Sequence, residues 1–247
     1  MFMGSIRSMK VVVLTGAGIS AESGIPTFRG IDGLWEGHRV EEVATPTAFD
    51  QNPELVHRFY NTRRRHLLQK DVRPNAAHIA LAEYEANHDD DFLLITQNVD
   101  HLHFAAGGQN VLPMHGQLLE ARCTQTDKVY PWFEDLSPNT PDPETPSRRG
   151  NLRPNVVWFG EMPYGMEKIQ QAARNADLFL AIGTSAVVYP AAGIVQQTPL
   201  NCQRVEINLD TTPQSKVFTE TIRGPATVEV PKFLRRVQES CKNTNEH

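Results

Sequence analysis

Val11-Val12-Val13-Leu14-Thr15-Gly16-Ala17-Gly18-Ile19-Ser20-Ala21 is the stretch that decides the fold. Its apolar opening has no polar alternation, which suits a strand buried on both faces, as in a parallel sheet covered by helices. The G-x-G-x-x-A turn that follows lets the backbone approach a pyrophosphate, and the start of the next helix offers free N–H groups. The same turn also serves a tight strand-to-helix connection around a core. An ordinary dinucleotide fold continues into a long helix and a second strand that ends in an acid about 20 residues on. Here Ser23-Gly24-Ile25-Pro26-Thr27-Phe28-Arg29 stops the helix almost at once, so a nucleotide would have to be held differently.

Outward from that turn, short β-branched runs recur at 92–95, 178–182, 205–207 and 227–230. Helix candidates lie between them at 75–88 and 166–176, and a last one at 231–242 opens with Pro231 in its first turn. The pattern predicts an α/β fold, a doubly wound, mostly parallel Rossmann-like sheet. Residues 28–70, with a helix over 53–69, and residues 117–157, with four prolines between Ser137 and Ser147, break the alternation. These two insertions are expected to form a small second lobe. The large lobe is then about 8–27, 71–116 and 158–240.

The 247 residues carry 24 Lys plus Arg against 29 Asp plus Glu, a net charge of −5, so no basic excess exists to hold nucleic acid or an anionic membrane. No apolar run reaches the roughly 20 residues of a bilayer crossing. Cys123, Cys202 and Cys241 are too scattered for a disulfide framework, in keeping with a reducing, cytoplasmic setting. A monomer without nucleic-acid or membrane partners is expected.

Polar blocks follow the apolar runs: Thr96-Gln97-Asn98-Val99-Asp100, His115-Gly116, Val157-Trp158-Phe159-Gly160-Glu161, Gly183-Thr184-Ser185, Asn208-Leu209-Asp210 and Gly224-Pro225-Ala226. Residues just past the carboxyl ends of parallel strands line the crevice where such sheets bind ligands. Among nine histidines, an imidazole that takes up a proton near neutrality is sought close to that crevice, where His115, His101 and His103 compete.

The full string GAGISAESGIPTFRG, Gly16 to Gly30, resembles the opening motif of the sirtuin family of NAD-consuming protein lysine deacylases, and the other blocks follow in that family's order. The resemblance spans about residues 10–238 and is strongest to bacterial CobB-type members. It implies NAD as co-substrate, held by Gly16, Ala17, Gly18, Ser20, Ile25, Pro26, Thr27, Phe28, Arg29, Trp35, Gln97, Asn98, Val99, Asp100, Gly183, Thr184, Ser185, Asn208, Leu209, Asp210 and Ala226. It implies His115 as the general base, with Asn98 and Asp100 in the nicotinamide pocket. The reaction it implies releases nicotinamide and passes the acyl group of an acyl-lysine protein to ADP-ribose.

By the same resemblance, Tyr60-x-x-Arg63 matches the signature of desuccinylase-type, class III members, and Ala44 a small residue that widens their pocket. Two residues three apart on a helix share a face, and a guanidinium fork binds a carboxylate bidentately. The other possibility is a solvated charge run at Arg63-Arg64-Arg65 with Tyr60 packed on Phe59. Val157, Phe159, Gly160 and Glu161 resemble the edge that clamps an extended substrate peptide. Many members also hold zinc with two C-x-x-C pairs. Cys123 matches a first ligand, but Thr126 stands three residues on, and no cysteine or histidine occurs from there to Cys202. No zinc is expected. A dehydrogenase and a non-catalytic NAD or ADP-ribose sensor are the competing readings.

Overall fold

An unbroken apolar run needs cover on both faces, and alternate residues of β1 (Lys10–Thr15) receive it from different helices. The computed structural model describes residues 8–27, 34, 35, 37–88, 90–185 and 187–244. In chain order the further elements that matter are α1 (Pro53–Leu67), α2 (Ala76–Asn87), β2 (Asp91–Thr96), β3 (Val111–Pro113), β4 (Gly116–Cys123), β5 (Val129–Pro131) and β6 (Leu152–Val156). They are followed by α3 (Met166–Arg174), β7 (Leu178–Ile182), β8 (Gln203–Asn208), β9 (Glu220–Arg223) and α4 (Ala226–Thr244).

Six strands form a parallel sheet in the order β9-β8-β7-β1-β2-β3. Val11, Val13, Phe92, Leu94, Leu180 and Ile207 face α2 and α4, where they meet Leu81, Tyr84, Val230, Phe233 and Leu234. Val12, Leu14, Leu93, Ile95 and Phe179 face Ile169 and Ala173 of α3. Each such side chain contributes about 1.5–3 kcal/mol on burial, which is why the period-2 division of the strands fixes the two helix layers. The doubly wound α/β reading holds.

Two elements differ from expectation. Residues 227–230 are not a strand: they form the first turns of α4, and the strand before them is β9. Consequently Pro231 sits inside the helix rather than at its start. Its missing N–H removes one intrahelical bond, but Val230, Phe233 and Leu234 lie on one helical face and are buried against the sheet.

A second, antiparallel sheet runs β5-β4-β6. Its β4 begins only two residues after β3 of the large sheet ends, with Met114 and His115 between them. Helix α1 packs against this sheet. The Asn52 side chain accepts from Leu55 N at 3.1 Å to cap it, and Pro53 occupies its first turn. The proline-rich link is restrained locally: Thr140 N donates to Ser137 O, and the buried Asp142 accepts from Glu144 N and Thr145 N.

Candidate active site

Every strand of the large sheet delivers one of the polar blocks at its carboxyl end. Gly16 follows β1, Gln97 follows β2, His115 lies two residues past β3, Gly183 follows β7, Asn208 closes β8, and Gly224 follows β9. The turns after β1 and β7 cross in close backbone contact. Gly18 N donates to Gly183 O at 2.8 Å, and a Cβ on Gly183, whose φ is +61°, would lie 2.4 Å from Ile19 N. Close backbone packing therefore requires the glycines, whether or not a phosphate lies above them. Two 3₁₀ turns, Ala17–Ile19 and Ala21–Ser23, replace the long first helix. Gln97 Nε2 donates to Thr184 Oγ1 at 3.0 Å and Asn208 Nδ2 to Thr184 O at 2.7 Å, which ties the blocks after β2, β7 and β8 together.

Ser20 is the hub of a buried network beneath this crossing. Its hydroxyl donates to Asp100 Oδ2 at 2.9 Å and accepts from Asn98 Nδ2 at 3.1 Å. His78 Nε2 lies 3.4 Å from the same oxygen, while His78 Nδ1 accepts from Asn75 N at 3.3 Å. With Nδ1 an acceptor, the proton resides on Nε2 and Ser20 uses all its hydrogen-bonding capacity. Burial lowers the His78 pKa to about 4 and that of His103, which also faces His78, to about 3. Burial likewise raises the Asp100 carboxyl above its ordinary value, opposed by hydrogen bonds from Leu102 N and Ser20. His103 Nε2 lies 3.0 Å from Thr15 Oγ1, so this histidine orients a neighbour and does not face the solvent.

His115 has a different environment. Its Nδ1 lies 2.9 Å from the Gln97 carbonyl, which can only accept, so Nδ1 carries the proton and Nε2 the lone pair. Burial pushes the imidazole below its ordinary value, with the Gln97 hydrogen bond opposing, so the neutral base is the resting form at pH 7. Gly116 has φ +78°, and a Cβ there would meet Asn155 O at 2.1 Å. The His-Gly pair is thus fixed by the crossing of β4 and β6.

On the α1 side, Tyr60 is completely buried and accepts a hydrogen bond from Trp158 Nε1 at 2.9 Å. Arg63 is half-buried, close enough to Tyr60 to bear on its ionisation; its guanidinium carbon lies 3.2 Å from the Phe59 ring centroid, and it donates to Phe59 O at 2.8 Å. Tyr60 also meets the Phe59 ring edge-on at 5.1 Å. Of the arginine run, Arg64 is not solvated at all: fully buried, it donates to Leu118 O, Asn61 Oδ1 and Glu134 O. Ala44 is buried and its carbonyl accepts from Phe159 N at 2.9 Å.

Residues 158–161, which resemble the edge that clamps an extended substrate peptide, are not themselves extended. They close as a turn in which Glu161 N donates to Trp158 O at 3.0 Å, so the N–H groups of Phe159 and Glu161 are already used. Arg153 grips Glu161 through both terminal nitrogens, at 2.6 and 3.0 Å, and Glu161 Oε2 accepts from Trp158 N at 2.7 Å. Desolvation raises the Glu161 pKa, but these bonds outweigh it and hold the carboxylate below its ordinary range. Phe159 and Gly160 are exposed at the lip, and Val157 N donates to His115 O.

The family model of the Sir2 family matches residues 16–190. A Rhodopirellula baltica protein named NAD-dependent protein deacylase is 64% identical over 233 residues, covering 92% of this chain and 98% of that protein. An Escherichia coli K12 protein of the same name is 52% identical over 246 residues, covering 96% and 85%. The solved structure of a Sir2 homologue–NAD complex matches with a TM-score of 0.81 and 40% identity, over 93% of this chain and 90% of that one. The chain belongs to the Sir2 family.

In this Sir2 chain Gly16, Ala17, Gly18, Ser20, Gln97, Asn98, Asp100, Gly183, Thr184 and Asn208 converge on the crevice between β1, β2, β7 and β8. Ser185, Leu209 and Asp210 are exposed at its outer end, Ala226 begins α4 behind it, and Ile25, Pro26 and Thr27 lead away from the second 3₁₀ turn. Phe28 and Arg29 lie outside the described residues, as does the Trp35 side chain. Sequence reasoning missed His78, Thr15, Arg64 and Arg153. Only His78 left a legible signal, Asn75-x-x-His78, the spacing of a capping box.

The zinc of many Sir2 proteins does not fit the donors here. Cys123 is fully buried among Ala121, Leu136 and Leu152, and a hydrogen bond from its thiol lowers the Asp142 pKa. Among the described residues no group of three or more His, Cys, Asp or Glu is placed to hold a metal. One thiol against one carboxylate falls short of a tetrahedral set.

Proposed function

We propose that this Sir2 protein is an NAD-dependent protein lysine deacylase that prefers acyl groups ending in a carboxylate, succinyl and malonyl, and also accepts acetyl. The observation that carries the reaction class is the His115 tautomer, a neutral imidazole with its Nε2 lone pair available at the crevice. Bound NAD supplies an activated ribose carbon from which nicotinamide departs as the acyl oxygen takes its place. Gly16, Ala17, Gly18, Gln97, Gly183, Thr184, Ser185 and Asn208 bind its phosphates and riboses, Ser20 supports their turn from beneath, and Asn98 and Asp100 orient the carboxamide. By the family resemblance, Phe28 shields the reacting sugar, Arg29 and Ala226 help to cradle the dinucleotide, and Ile25, Pro26, Thr27, Trp35, Val99, Leu209 and Asp210 belong to the same cofactor set. His115 Nε2 takes the proton of a ribose hydroxyl, which makes that oxygen the acceptor of the acyl group. A water molecule then supplies the oxygen and protons with which the lysine amine leaves, so acyl-lysine, NAD and water give free lysine, nicotinamide and O-acyl-ADP-ribose.

The acyl preference is supported by Tyr60 and Arg63, set side by side on α1, with small Ala44 nearby. Arg63 pairs with the acyl carboxylate through its fork, Tyr60 adds a phenolic hydrogen bond, and the peptide lies across Val157, Phe159, Gly160 and the turn braced by Glu161. The reading includes two lobes divided as the sequence suggests, no structural zinc, and a cytoplasmic monomer without nucleic-acid contacts. The negative net charge and the absence, among the described residues, of any helix long and apolar enough to cross a membrane are consistent with it.

Peptides bearing acetyl-, malonyl- or succinyl-lysine, incubated with NAD and resolved by mass spectrometry, test the proposal. Nicotinamide and O-acyl-ADP-ribose are expected, fastest with succinyl. NADH formation would indicate a dehydrogenase, and NAD bound but left intact would indicate a sensor. Arg63→Met is expected to cut desuccinylation about 100-fold, because it leaves a buried carboxylate unpaired, while deacetylation stays within about threefold.

A further inference from the structure

Trp158 lies at the meeting point of the acyl side and the peptide-facing turn, and it is held from three directions. Its backbone N–H donates to Glu161 Oε2 at 2.7 Å. Arg153 stacks over its ring at 3.3 Å while gripping Glu161 and donating to Val156 O at 2.7 Å. Its one side-chain donor, Nε1–H, is spent on Tyr60 Oη at 2.9 Å, inside a core where both residues are buried. The indole packs beside Phe49 at 5.4 Å and the Tyr60 ring at 6.3 Å, and these contacts alone would be satisfied by any aromatic side chain.

The hydrogen bond supplies what packing does not. A phenol rotates its O–H freely, and an indole N–H can only donate, so the Tyr60 oxygen must present a lone pair to Trp158 and direct its own proton elsewhere. Burial pushes the Tyr60 pKa up, so the hydroxyl stays protonated and remains a donor.

Resting on the acidic-acyl reading above, we propose that Trp158 is a specificity-positioning residue: its Nε1–H fixes the Tyr60 hydroxyl so that the phenol donates to the substrate's acyl carboxylate. Arg153 and Glu161 act one step further back by locking the indole. The peptide-facing turn and the acyl pocket are then one unit, because the residue beside exposed Phe159 also sets the acyl donor. Acetyl-lysine has no carboxylate and is blind to this orientation.

Steady-state kinetics of Trp158→Phe test the idea with succinyl- and acetyl-lysine peptides of the same sequence. A positioning role in ground-state binding predicts that KM for the succinyl peptide rises roughly five- to tenfold with kcat little changed, while both constants for the acetyl peptide stay within about twofold. In a Tyr60→Phe background the same substitution should add nothing, since the hydroxyl it orients is gone. If Trp158→Phe does not fold, β-(3-benzothienyl)alanine at position 158, which keeps the bicyclic shape without the N–H, gives the same readout. Equal losses on both peptides, no loss on either, or a full additional loss in the Tyr60→Phe background would overturn the proposal. Should Arg63→Met also fail to discriminate succinyl from acetyl, the acidic pocket itself falls; a selective Arg63→Met beside an unselective Trp158→Phe removes only the role of the indole.

Discussion

The two sheets of this protein are held by different physics. The parallel sheet is an apolar sandwich in which the side chains of β1 and β7 divide between two helix layers. The antiparallel sheet and α1 enclose a smaller apolar cluster threaded by charge: Arg64 reaches three acceptors from full burial, and Arg153 is locked between Trp158 and Glu161. Such groups are costly to desolvate and hold only because their partners are placed to receive them. The large sheet thus presents a close-packed backbone rim at the crevice, and the smaller one a framework of buried, paired charges.

The largest expected effect lies at the junction of the two. His115→Ala is expected to lower deacylation by roughly 10²- to 10⁴-fold, with the circular dichroism spectrum and thermal midpoint near those of the unchanged protein. Retained turnover would remove the imidazole from the reaction. Next come stabilities. Leu180→Ala in the apolar sheet should cost about 2–5 kcal/mol through the cavity it leaves. Arg64→Met should cost about 3 kcal/mol, although it replaces a charge with an apolar side chain, because Leu118 O loses its buried donor and Asn61 Oδ1 keeps only Leu136 N. Urea unfolding measures both, and a silent Arg64→Met would erase the contrast drawn above.

The smallest effect is a pH dependence. Burial, reinforced by the nearby Arg64 charge, lowers His57 to about 4, and His78 and His103 are lowered to about 4 and about 3. Each is neutral when folded and takes up a proton near pH 6.5 when unfolded, so the folded state loses stability as pH falls from about 6.5 toward 4. The loss is at most about 1.4 kcal/mol per pH unit for each group. Neither ring nitrogen of His57 has a hydrogen-bond partner among the described residues, and the ring meets Phe49 edge-on. His57→Phe should therefore flatten this acid sensitivity in unfolding curves at pH 5 and 7 without loss at pH 7; an unchanged slope would assign it to the histidines beneath the crevice.

The same contrast separates what the sequence disclosed from what it hid. Strands buried on both faces announce themselves as unbroken apolar runs, and the blocks after them could be placed in the crevice without coordinates. Edge strand β9, Glu-Thr-Ile-Arg, alternates between half-buried and exposed and has no such run. Thr227-Val228-Glu229-Val230 imitated it, because alternating residues over so short a span suit either period; burial of Val230 with exposure of Val228 reveals the helix. Arg64 and Arg153 were illegible for another reason. Nothing local distinguishes a buried arginine from a solvated one when its acceptors are backbone carbonyls and a carboxylate brought in by the fold.

Met114 and His115 are all that separates β3 of one sheet from β4 of the other, and the segment after β6 pins both: Met114 O accepts from Tyr164 N, and His115 O from Val157 N. Any opening or closing of the two sheets would swing about this seam. The imidazole would then lie near the axis of the motion, so the proposed proton acceptor would keep its place while the α1 side moved around it.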